Sequence, residues 1–451
     1  MKVVKIKNTW LYESDLRLDA SYHLSDGVNT KRVIDNFSPY PTISLKSESN
    51  ELFKGDIHKR VYVESSESGL PFYTASDLFK ADINPGKFLS KKYSPHLKEL
   101  ELKKDWILIT RSGTLGKVFY TTSDYEGKIG TDDLVRINPS EKNLLRGYLY
   151  AFLSSKFGYG LLTQSSYGGV VKHIEPHHVE GIEIPILPKS QQIEIHTLIM
   201  DSVDLRVKAN TYLKEAQSIV VNAIGYKPRN LPQSVSYKTI FDSHQKRFEA
   251  QYFTSKGFEI REHIKKGSYK YLKDLSKEIF RPGIFKRHYV EKGIEFLGGS
   301  DIGKNIPKSD KKLSISQTKH LNEMIIKEDW ILVTCGGTIG NSVLVNGYLA
   351  EKTASQHILR VVADGILNGY LYAFMSSELG FNAIQSFTYG SVIPTIEPHH
   401  LGLLPIPIIE ETLMTKIHHL VMNYKEFISS SIQKELKAIE LVEKEIVSWQ
   451  K

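Results

Sequence analysis

Two short loops pair glycines with hydroxyl-bearing residues directly after apolar runs. The loops read Arg111-Ser-Gly-Thr-Leu-Gly116 and Cys335-Gly-Gly-Thr-Ile-Gly340. Because glycine has no Cβ, backbone amides in such loops can come close to another backbone, including phosphate groups. A tight turn that only connects two strands is an equally good interpretation. The candidate contact residues are Arg111, Ser112, Gly113 and Thr114 in the first loop and Gly336, Gly337 and Thr338 in the second.

Basic pairs and tyrosine–glycine pairs occur at matching places in the two halves of the chain. Lys59-Arg60 and Lys286-Arg287 carry positive charge suited to phosphate contacts, although an ordinary solvated edge is an alternative of equal weight. Tyr167-Gly-Gly169 and Tyr389-Gly-Ser391 place a ring beside flexible backbone, where tyrosine either contacts bases and sugars or caps the core. We favour contact. These stretches add Lys59, Arg60, Tyr167, Gly168, Lys172, Lys286, Arg287, Tyr389 and Gly390 to the predicted nucleic-acid-binding residues.

The usual sequence signatures of catalysis and cofactor binding are missing from the chain. It has no Gly-x-Gly-x-x-Gly, no Walker loop and no Asn/Asp-Pro-Pro-Tyr/Phe tetrapeptide. The adjacent pairs His177-His178 and His399-His400 lack the spacing of a zinc site, and we interpret them as structural. Glu101-Leu-Lys103, with Asp82 upstream, resembles a metal-dependent endonuclease motif, but the second half has no such triplet near residues 324–327. We therefore predict no catalytic residue, cofactor or metal site, with a nuclease as a minor alternative.

Composition allows a polyanionic partner without requiring one. The chain of 451 residues has 59 Lys and Arg against 51 Asp and Glu, a net charge of +8, and its pI is about 9.0. The single cysteine, Cys335, excludes an internal disulfide and fits a reducing cytoplasm. The sequence shows neither a signal peptide nor a run of eighteen apolar residues, so we expect no membrane span.

An ordered internal repeat organises the chain into two halves. The matches keep their order and nearly the same offset, which chance similarity does not do. The clearest pairs are Asp105-Trp-Ile-Leu-Ile-Thr110 with Asp329-Trp-Ile-Leu-Val-Thr334, Gly147-Tyr-Leu-Tyr-Ala-Phe152 with Gly369-Tyr-Leu-Tyr-Ala-Phe374, and Ile174-Glu-Pro-His-His178 with Ile396-Glu-Pro-His-His400.

A long amphipathic stretch closes each half. Heptad-like spacing and flanking prolines and glycine predict helices over Lys189–Ile224 and about Glu411–Trp449, each with an apolar stripe that needs a partner. We expect the two to pair antiparallel, because the domains that they follow must lie at opposite ends. Polar Ser202 interrupts the first seam, and the second has a phase slip near Ser429–Ser431. The predicted seams are Ile195, Leu198, Ser202, Leu205, Ala209, Tyr212, Ala216, Ile219 and Ala223, facing Leu413, Ile417, Leu420, Tyr424, Ile428, Ile432, Leu436, Ile439, Val442 and Ile446.

The globular parts mix short strands with few helices, so each is predicted to be α+β. We expect a loop over Val33–Pro41, strands at Asp105–Thr110, Val118–Tyr120 and Asp133–Ile137, and one helix over Leu144–Leu162. Strands at Val170-Val171 and Ile182–Leu187 close the first domain. The predicted division is a globular domain at 1–188, a long helix at 189–225, a second globular domain at 226–409 and a second long helix at 410–451.

These features together resemble the specificity subunit of type I restriction-modification systems. The resemblance includes Arg17-Leu-Asp-Ala20 with Arg247-Phe-Glu-Ala250, and the domain exits Ile182-Glu-Ile-Pro-Ile-Leu-Pro188 and Leu404-Pro-Ile-Pro-Ile. It covers essentially the whole chain, and its specific signal is the ordered duplication around two helices. The second exit departs from the pattern, with Glu410-Glu411 where the first has Gln191-Gln192.

The resemblance implies a non-catalytic protein that recognises an asymmetric bipartite site on double-stranded DNA. Each domain would read one half-site, and the helices would set the spacing and dock two methyltransferase subunits that bind S-adenosylmethionine. Restriction subunits using ATP and Mg²⁺ would join them. The alternatives are a recognition subunit of a type IIB-like or phage-exclusion system, a stand-alone nuclease, and a scaffold that binds only protein.

Overall fold

The chain divides into two compact units that each take one half of both long helices. The computed structural model describes residues 6, 8–12, 18, 20–64, 67–84, 86–164, 173–228, 234–243, 246, 248–284, 286–390, 392 and 394–450. The first unit is Met1–Val207 with Ser431–Lys451, and the second is Lys208–Ser430. Within the described part of the chain, every helix is too short or too polar to span a bilayer.

Short strands in the first unit form three small sheets. The strands, among the described residues, are β1 (Thr42–Ser44), β2 (Ser49–Lys54), β3 (Tyr62–Val63), β4 (Gly69–Tyr73), β5 (Phe88–Ser90), β6 (Ile107–Thr110), β7 (Val118–Tyr120), β8 (Ile129–Gly130), β9 (Leu134–Pro139) and β10 (Glu183–Pro185). They pair in the orders β2-β9-β6-β7, β3-β5-β4-β8 and β1-β10, and all neighbours are antiparallel except β4 and β8. All four residues of β6 are buried, as expected of a continuous apolar run in a central strand.

Helices cover these sheets, and two predictions about them were wrong. Val33–Pro41, predicted as a loop, includes the end of a helix over Asp26–Phe37, whose N-cap Ser25 accepts from the Val28 amide. The single helix predicted over Leu144–Leu162 is two helices, because extended Ser155 ends one and caps the next. The helices are α1 (Asn8–Tyr12), α2 (Ala20–His23), α3 (Asp26–Phe37), α4 (Ala75–Leu78), α5 (Arg146–Ser154), α6 (Lys156–Gln164), α7 (Pro176–Val179) and α8 (Lys189–Ile224), with 3₁₀ turns at Leu97–Leu100 and Ser123–Tyr125.

Glycine permits the sharp corner between α5 and α6. A Cβ at Gly158 would lie 2.1 Å from the carbonyl oxygen of Phe152, so no other residue fits without a backbone shift. The predicted strand at Ile182–Leu187 is present as β10, whereas Val170-Val171 lie outside the described residues.

The second unit repeats this arrangement. Its strands are β11 (Tyr269–Tyr271), β12 (Ser276–Phe280), β13 (Tyr289–Leu297), β14 (Lys312–Leu313), β15 (Ile331–Thr334), β16 (Ser342–Leu344), β17 (Thr353–Ala354), β18 (Ile358–Ala363) and β19 (Pro405–Pro407). They form sheets with the orders β12-β18-β15-β16, β14-β13-β17 and β11-β19, and β13 and β17 are parallel. The helices are α9 (Tyr237–Asp242), α10 (Ala250–Phe253), α11 (Lys256–Ile264), α12 (Gly299–Ile302), α13 (Leu321–Met324), α14 (Asn368–Ser376), α15 (Glu378–Gln385), α16 (Pro398–Leu401) and α17 (Glu411–Ser448), with a 3₁₀ turn at Leu272–Leu275.

Buried polar side chains repeat between the units as faithfully as the strands do. Arg136 and Arg360 are fully buried and donate to backbone carbonyl oxygens, those of Thr131 and Ser355 among them, each at 2.9 Å. The Tyr148 hydroxyl donates to the Pro185 carbonyl at 2.7 Å, and Tyr370 does the same to Pro407 at 2.6 Å. The sequence repeat is thus a structural repeat that includes internal hydrogen bonds.

The two long helices pack antiparallel, as predicted. In the first unit Ser202 meets Ser431, and Gln191 lies against Glu445. In the second unit the Tyr212 and Phe427 rings lie 5.7 Å apart, and Glu215 pairs with Lys416 at 3.0 Å. Rising residue numbers on α8 therefore meet falling numbers on α17 within each unit.

The predicted seam of α8 was only partly correct. Ile195, Ser202, Ala209 and Ala216 are buried, but Ala223 is exposed. Residues off the seam are buried as well, because α8 also packs against the core of each unit. These additional residues are Gln192, Ile199, Val203, Asn210 and Val220.

A buried polar cluster sets the register of the helix pair. The Ser202 and Ser431 hydroxyls lie 3.0 Å apart, and each also donates to the other's backbone carbonyl oxygen. One turn away the Arg206 guanidinium donates to Glu435 at 2.8 Å, and the Tyr150 hydroxyl donates to the same carboxylate at 2.6 Å. The sequence marked Ser202 and the phase slip as irregularities, and the structure shows that these residues bind each other.

Glu435→Gln is expected to destabilise the first unit strongly. The amide no longer neutralises Arg206, and breaking a buried ion pair costs about 3–5 kcal/mol. Asp201→Asn is the control, because its partner Lys434 lies in a half-exposed pair of the same helices. Chemical denaturation of the full chain measures both variants, and equal losses in the two would contradict the assignment.

Candidate nucleic-acid interface

The loop after β6 is a tight turn with an open tip. Gly113 and Gly116 have φ of +67° and +74°, values that favour glycine. The Gly116 amide donates to the Thr110 carbonyl oxygen at 2.9 Å, which closes the turn. A Cβ at Gly113 would meet nothing within 4 Å, and Thr114 is exposed. The loop is therefore a tight turn that connects two strands, and the open space at its tip leaves room for the close backbone approach of the other interpretation.

Arg111 and Ser112 face inward from the base of this loop. The Arg111 side chain is 8% exposed, donates through Nε to the Ile174 carbonyl oxygen at 2.9 Å and pairs with Glu175. Ser112 hydrogen-bonds Asp133. These two predicted contact residues are engaged within the unit, so they position the loop instead of offering free donors.

Glu175 receives two cations. Burial alone would raise the pKa of Glu175, but hydrogen bonds from Lys54 and Arg111 outweigh burial and hold the pKa below its ordinary value. Lys54 Nζ lies 3.2 Å from the Glu175 carboxylate. The carboxylate is therefore ionised at neutral pH and anchors both basic side chains.

The basic pair lies beside the loop, joined to it by consecutive aspartates. Arg60 pairs with Asp132 and lies over the Phe72 ring at 5.3 Å, while Ser112 of the loop binds the next residue, Asp133. Lys59 is exposed. The structure thus assembles two stretches that are far apart in sequence into one surface.

The second unit builds the same surface with different groups. Gly337 has φ +78° and an open Cβ position, Thr338 is exposed, and the Gly340 amide donates to the Thr334 carbonyl oxygen at 2.9 Å. Cys335 stands where the first unit has Arg111, and burial raises the pKa of its thiol to about 11, so it is neither charged nor a good nucleophile.

A polar segment again joins the second basic pair to the loop. Arg287 hydrogen-bonds Gln356 and lies 4.7 Å over the Phe296 ring. The Cys335 amide donates to the carbonyl oxygen of His357, the residue after Gln356, at 2.9 Å. Gly336 is partly exposed and packs close to the His357 ring, and Lys286 is exposed.

Tyr389 completes the surface of the second unit. It bridges with Thr395, whose hydroxyl donates to the Cys335 carbonyl oxygen at 2.8 Å. The Tyr389 hydroxyl donates to Glu397 at 3.2 Å, and Arg281 donates to the same carboxylate at 2.8 Å. Gly390 is exposed. In the first unit Tyr167, Gly168 and Lys172 lie outside the described residues.

The residues that join each basic pair to its loop were not predicted from the sequence. Thr131-Asp132-Asp133 in the first unit corresponds to Ser355-Gln356-His357 in the second, because Arg136 and Arg360 follow at the same spacing. The internal repeat could have identified these residues, because the alignment of the two halves extends to them although they are not identical.

The paired histidines are helix caps. His178 Nδ1 accepts from the Glu175 amide at 3.1 Å, and His400 Nδ1 accepts from the Glu397 amide at 3.3 Å. Each pair lies in a single helical turn. The arrangement fits a structural role.

The residues of the nuclease alternative are not gathered into one site. Glu101 and Lys103 line a cleft of about 820 Å³ together with His96 and Glu99, but Asp82 is not among the residues that line it. The Lys103 ammonium lies 4.8 Å from the centre of the Trp106 ring.

Comparison with solved structures finds distant similarity along almost the whole chain. A type I restriction-modification S subunit from M. genitalium is 11% identical, with 91% of this chain and 96% of that chain covered and a TM-score of 0.37. The HsdS subunit from Thermoanaerobacter tengcongensis is 11% identical, with 93% and 95% covered and a TM-score of 0.28. A chain from a study of assembly and conformational transition of the type I R-M system is also 11% identical, with 92% and 98% covered and a TM-score of 0.29.

Sequence comparison assigns the family. No curated protein sequence matches significantly. The profile described as type I restriction modification DNA specificity domain matches twice, over residues 43–219 and 258–440, which is most of the chain. The matched ranges contain both strand–loop–strand surfaces. The chain belongs to the type I restriction-modification DNA specificity family, whose members are non-catalytic specificity subunits, and it carries two of the family's target-recognition domains.

Proposed function

We propose that each unit reads one half of an asymmetric bipartite DNA site through the surface described above. Sequence-specific binding needs phosphate contacts that set the register and side chains that reach base edges. Exposed Lys59 and Lys286 supply charge for phosphates, and the open tips Gly113-Thr114 and Gly337-Thr338 allow a close backbone approach. Tyr389 and Gly390 extend the second surface, and Tyr167, Gly168 and Lys172 are proposed to do so in the first.

The observation that carries this proposal is that the two units share one fold but have different polar groups at matching positions beside the basic pairs. At matching positions the first unit has Asp132 and Asp133, and the second has Gln356 and His357. The partly exposed Asp133 carboxylate can accept a hydrogen bond from the cytosine amino group, whereas the partly exposed Gln356 amide can pair with adenine in a bidentate manner. Asp132 is buried and holds Arg60. Differences of this kind would make the two half-sites different in sequence.

The same proposal assigns partners and a spacer. Two methyltransferase subunits with S-adenosylmethionine would modify the site, and restriction subunits using ATP and Mg²⁺ would cleave DNA. The paired helices α8 and α17 would set the gap between half-sites and contribute to docking. The chain itself would bind neither S-adenosylmethionine nor ATP.

Arg111 and Ser112 have a revised place in this proposal. Because their side chains bind Glu175 and Asp133, we assign them to holding the loop, with Arg60 and Arg287 as partly exposed cations at the rim. Lys59 and Lys286 are the residues expected to contact phosphate directly.

Lys59→Ala or Lys286→Ala is expected to weaken binding to all DNA sequences alike. Losing one phosphate contact should reduce the slope of log K against log salt by about 1. The control is Lys437→Ala, an exposed lysine on α17. Binding by the complex with its methyltransferase is measured across salt concentrations, and an unchanged slope in both variants would contradict the assignment.

Exchanging residues 234–408 for the matching region of a relative should change one half of the methylated motif. The other half should stay the same, because the reading groups of the first unit are untouched. Methylome sequencing of cells that carry the hybrid chain with its methyltransferase measures this. A change in both half-motifs would mean that reading is not modular.

Adding one heptad to both helices should lengthen the gap between the half-sites. Seven residues are inserted between Arg206 and Tyr212 and seven between Phe427 and Ser431, so that the flanking pairs keep their partners. Seven residues extend a helix by about 10 Å, or roughly three base pairs at 3.4 Å each. Methylome sequencing should find both half-motifs unchanged, and an unchanged gap in a methylation-competent complex would remove the helices as the spacer.

A further inference from the structure

Two histidines and a glutamate of the first unit, His58, His96 and Glu99, lie close together beside the basic pair, and two of them, His96 and Glu99, line the cleft. Their potential ligand atoms all lie within 4.8 Å of one another. Glu99 reaches His58 Nε2 through one carboxylate oxygen at 3.4 Å and His96 Nδ1 through the other at 3.1 Å. The two imidazole rings are stacked, 4.2 Å apart at an angle of 14°. Among the described residues this is the one group of three or more such side chains with metal-binding spacing.

We propose that His58, His96 and Glu99 form a binding site for a divalent transition metal of the zinc class. Nitrogen and oxygen ligands about 2.0–2.1 Å from a tetrahedral zinc ion lie roughly 3.4 Å from each other, close to both nitrogen–oxygen distances found here. Two histidines with one glutamate are a known zinc ligand set that leaves a fourth position for water. Imidazole ligands favour zinc, copper and nickel over magnesium and calcium, which defines the chemical class.

Local backbone structure brings the ligands together. His96 has φ +55° and precedes the 3₁₀ turn Leu97–Leu100, which carries Glu99. This conformation is uncommon for a residue other than glycine. It presents the His96 and Glu99 side chains on the same side, where they meet His58 from the segment between β2 and β3.

The second unit repeats the local fold of this site but has only two of the three proposed ligands. His320 has φ +54° and its Nδ1 lies 3.0 Å from Glu323, so the histidine–glutamate pair and its backbone belong to the repeated fold. In the sequence, Phe285 stands where the first unit has His58. The third ligand therefore distinguishes the first unit, and the repeat supplies a two-ligand pair for comparison.

Metal binding at this site would hold the segment that carries the basic pair. His58 is one residue before Lys59, in a stretch without helix or strand between Lys54 and Tyr62. A metal ion would tie this stretch to the turn at Leu97–Leu100. The effect on DNA contacts rests on the proposed function, whereas metal binding itself does not.

Isothermal titration of the full-length chain, without a polyhistidine tag and stripped of metal, with Zn²⁺ tests the proposal. One ion per chain is expected to bind, and Co²⁺ in its place should show the visible absorption of a tetrahedral nitrogen–oxygen site. His58→Ala, His96→Ala and Glu99→Gln should each weaken binding at least tenfold, because losing even an outer-shell partner of a metal ligand costs about 10–100-fold. His320→Ala is the matched control and should bind as the parent chain does.

Circular dichroism and thermal unfolding without metal establish that each variant is folded. Absence of Zn²⁺ binding by the parent chain, or binding that His58→Ala and His320→Ala change equally, would overturn the metal site. Because the titration contains no DNA, such a result leaves the proposed reading of half-sites unaffected. Failure of the DNA experiments with metal binding intact would overturn that reading and leave the metal site.

Discussion

The buried polar contact between the two long helices is the constraint on which the rest of the structure depends. An apolar heptad seam alone tolerates sliding by one repeat, because every step replaces one aliphatic contact with another. Moving Ser202 from Ser431, or Arg206 from Glu435, leaves polar groups buried without partners. A single register is therefore favoured. Ile195 and Ile199 of α8 lie in the core of the first unit and Ala216 and Val220 in that of the second, so this register also fixes how each core is completed.

Repeated scaffolds with different surfaces follow from different physical demands inside and outside each unit. Arg136 and Arg360 are buried and donate to backbone carbonyl oxygens, and Tyr148 and Tyr370 do the same. Such positions accept few replacements. The residues beside the basic pairs need only accept a hydrogen bond from an arginine, so buried Asp132 in one unit and partly exposed Gln356 in the other bind equivalent arginines.

Glu175 and Glu397 show how one requirement is met by two sets of residues. Each carboxylate follows a buried isoleucine and begins a short helix, and each needs cationic or hydroxyl donors there. Lys54 and Arg111 serve the first, while Arg281 and Tyr389 serve the second. Replacement of Arg111 by Cys335 is therefore compensated by a donor from another segment. A position-by-position comparison of the two units would miss this compensation. The units share a carboxylate that receives two donors, but different residues supply those donors.

Features that arise from local residue patterns could be predicted before the fold was known. Periodicity with flanking proline and glycine located α8 at Lys189–Ile224 and α17 to within a residue of its end, and the ordered matches established the duplication. Tertiary structure alone decided which distant groups meet: Arg111 turns inward to Glu175, Arg60 reaches Asp132, and His58 lies against His96. Such contacts depend on how strands far apart in the chain pair and on backbone conformations such as the positive φ of His96. Neither leaves a periodic signal, so residue type and spacing located the loops and basic pairs but not the direction of their side chains.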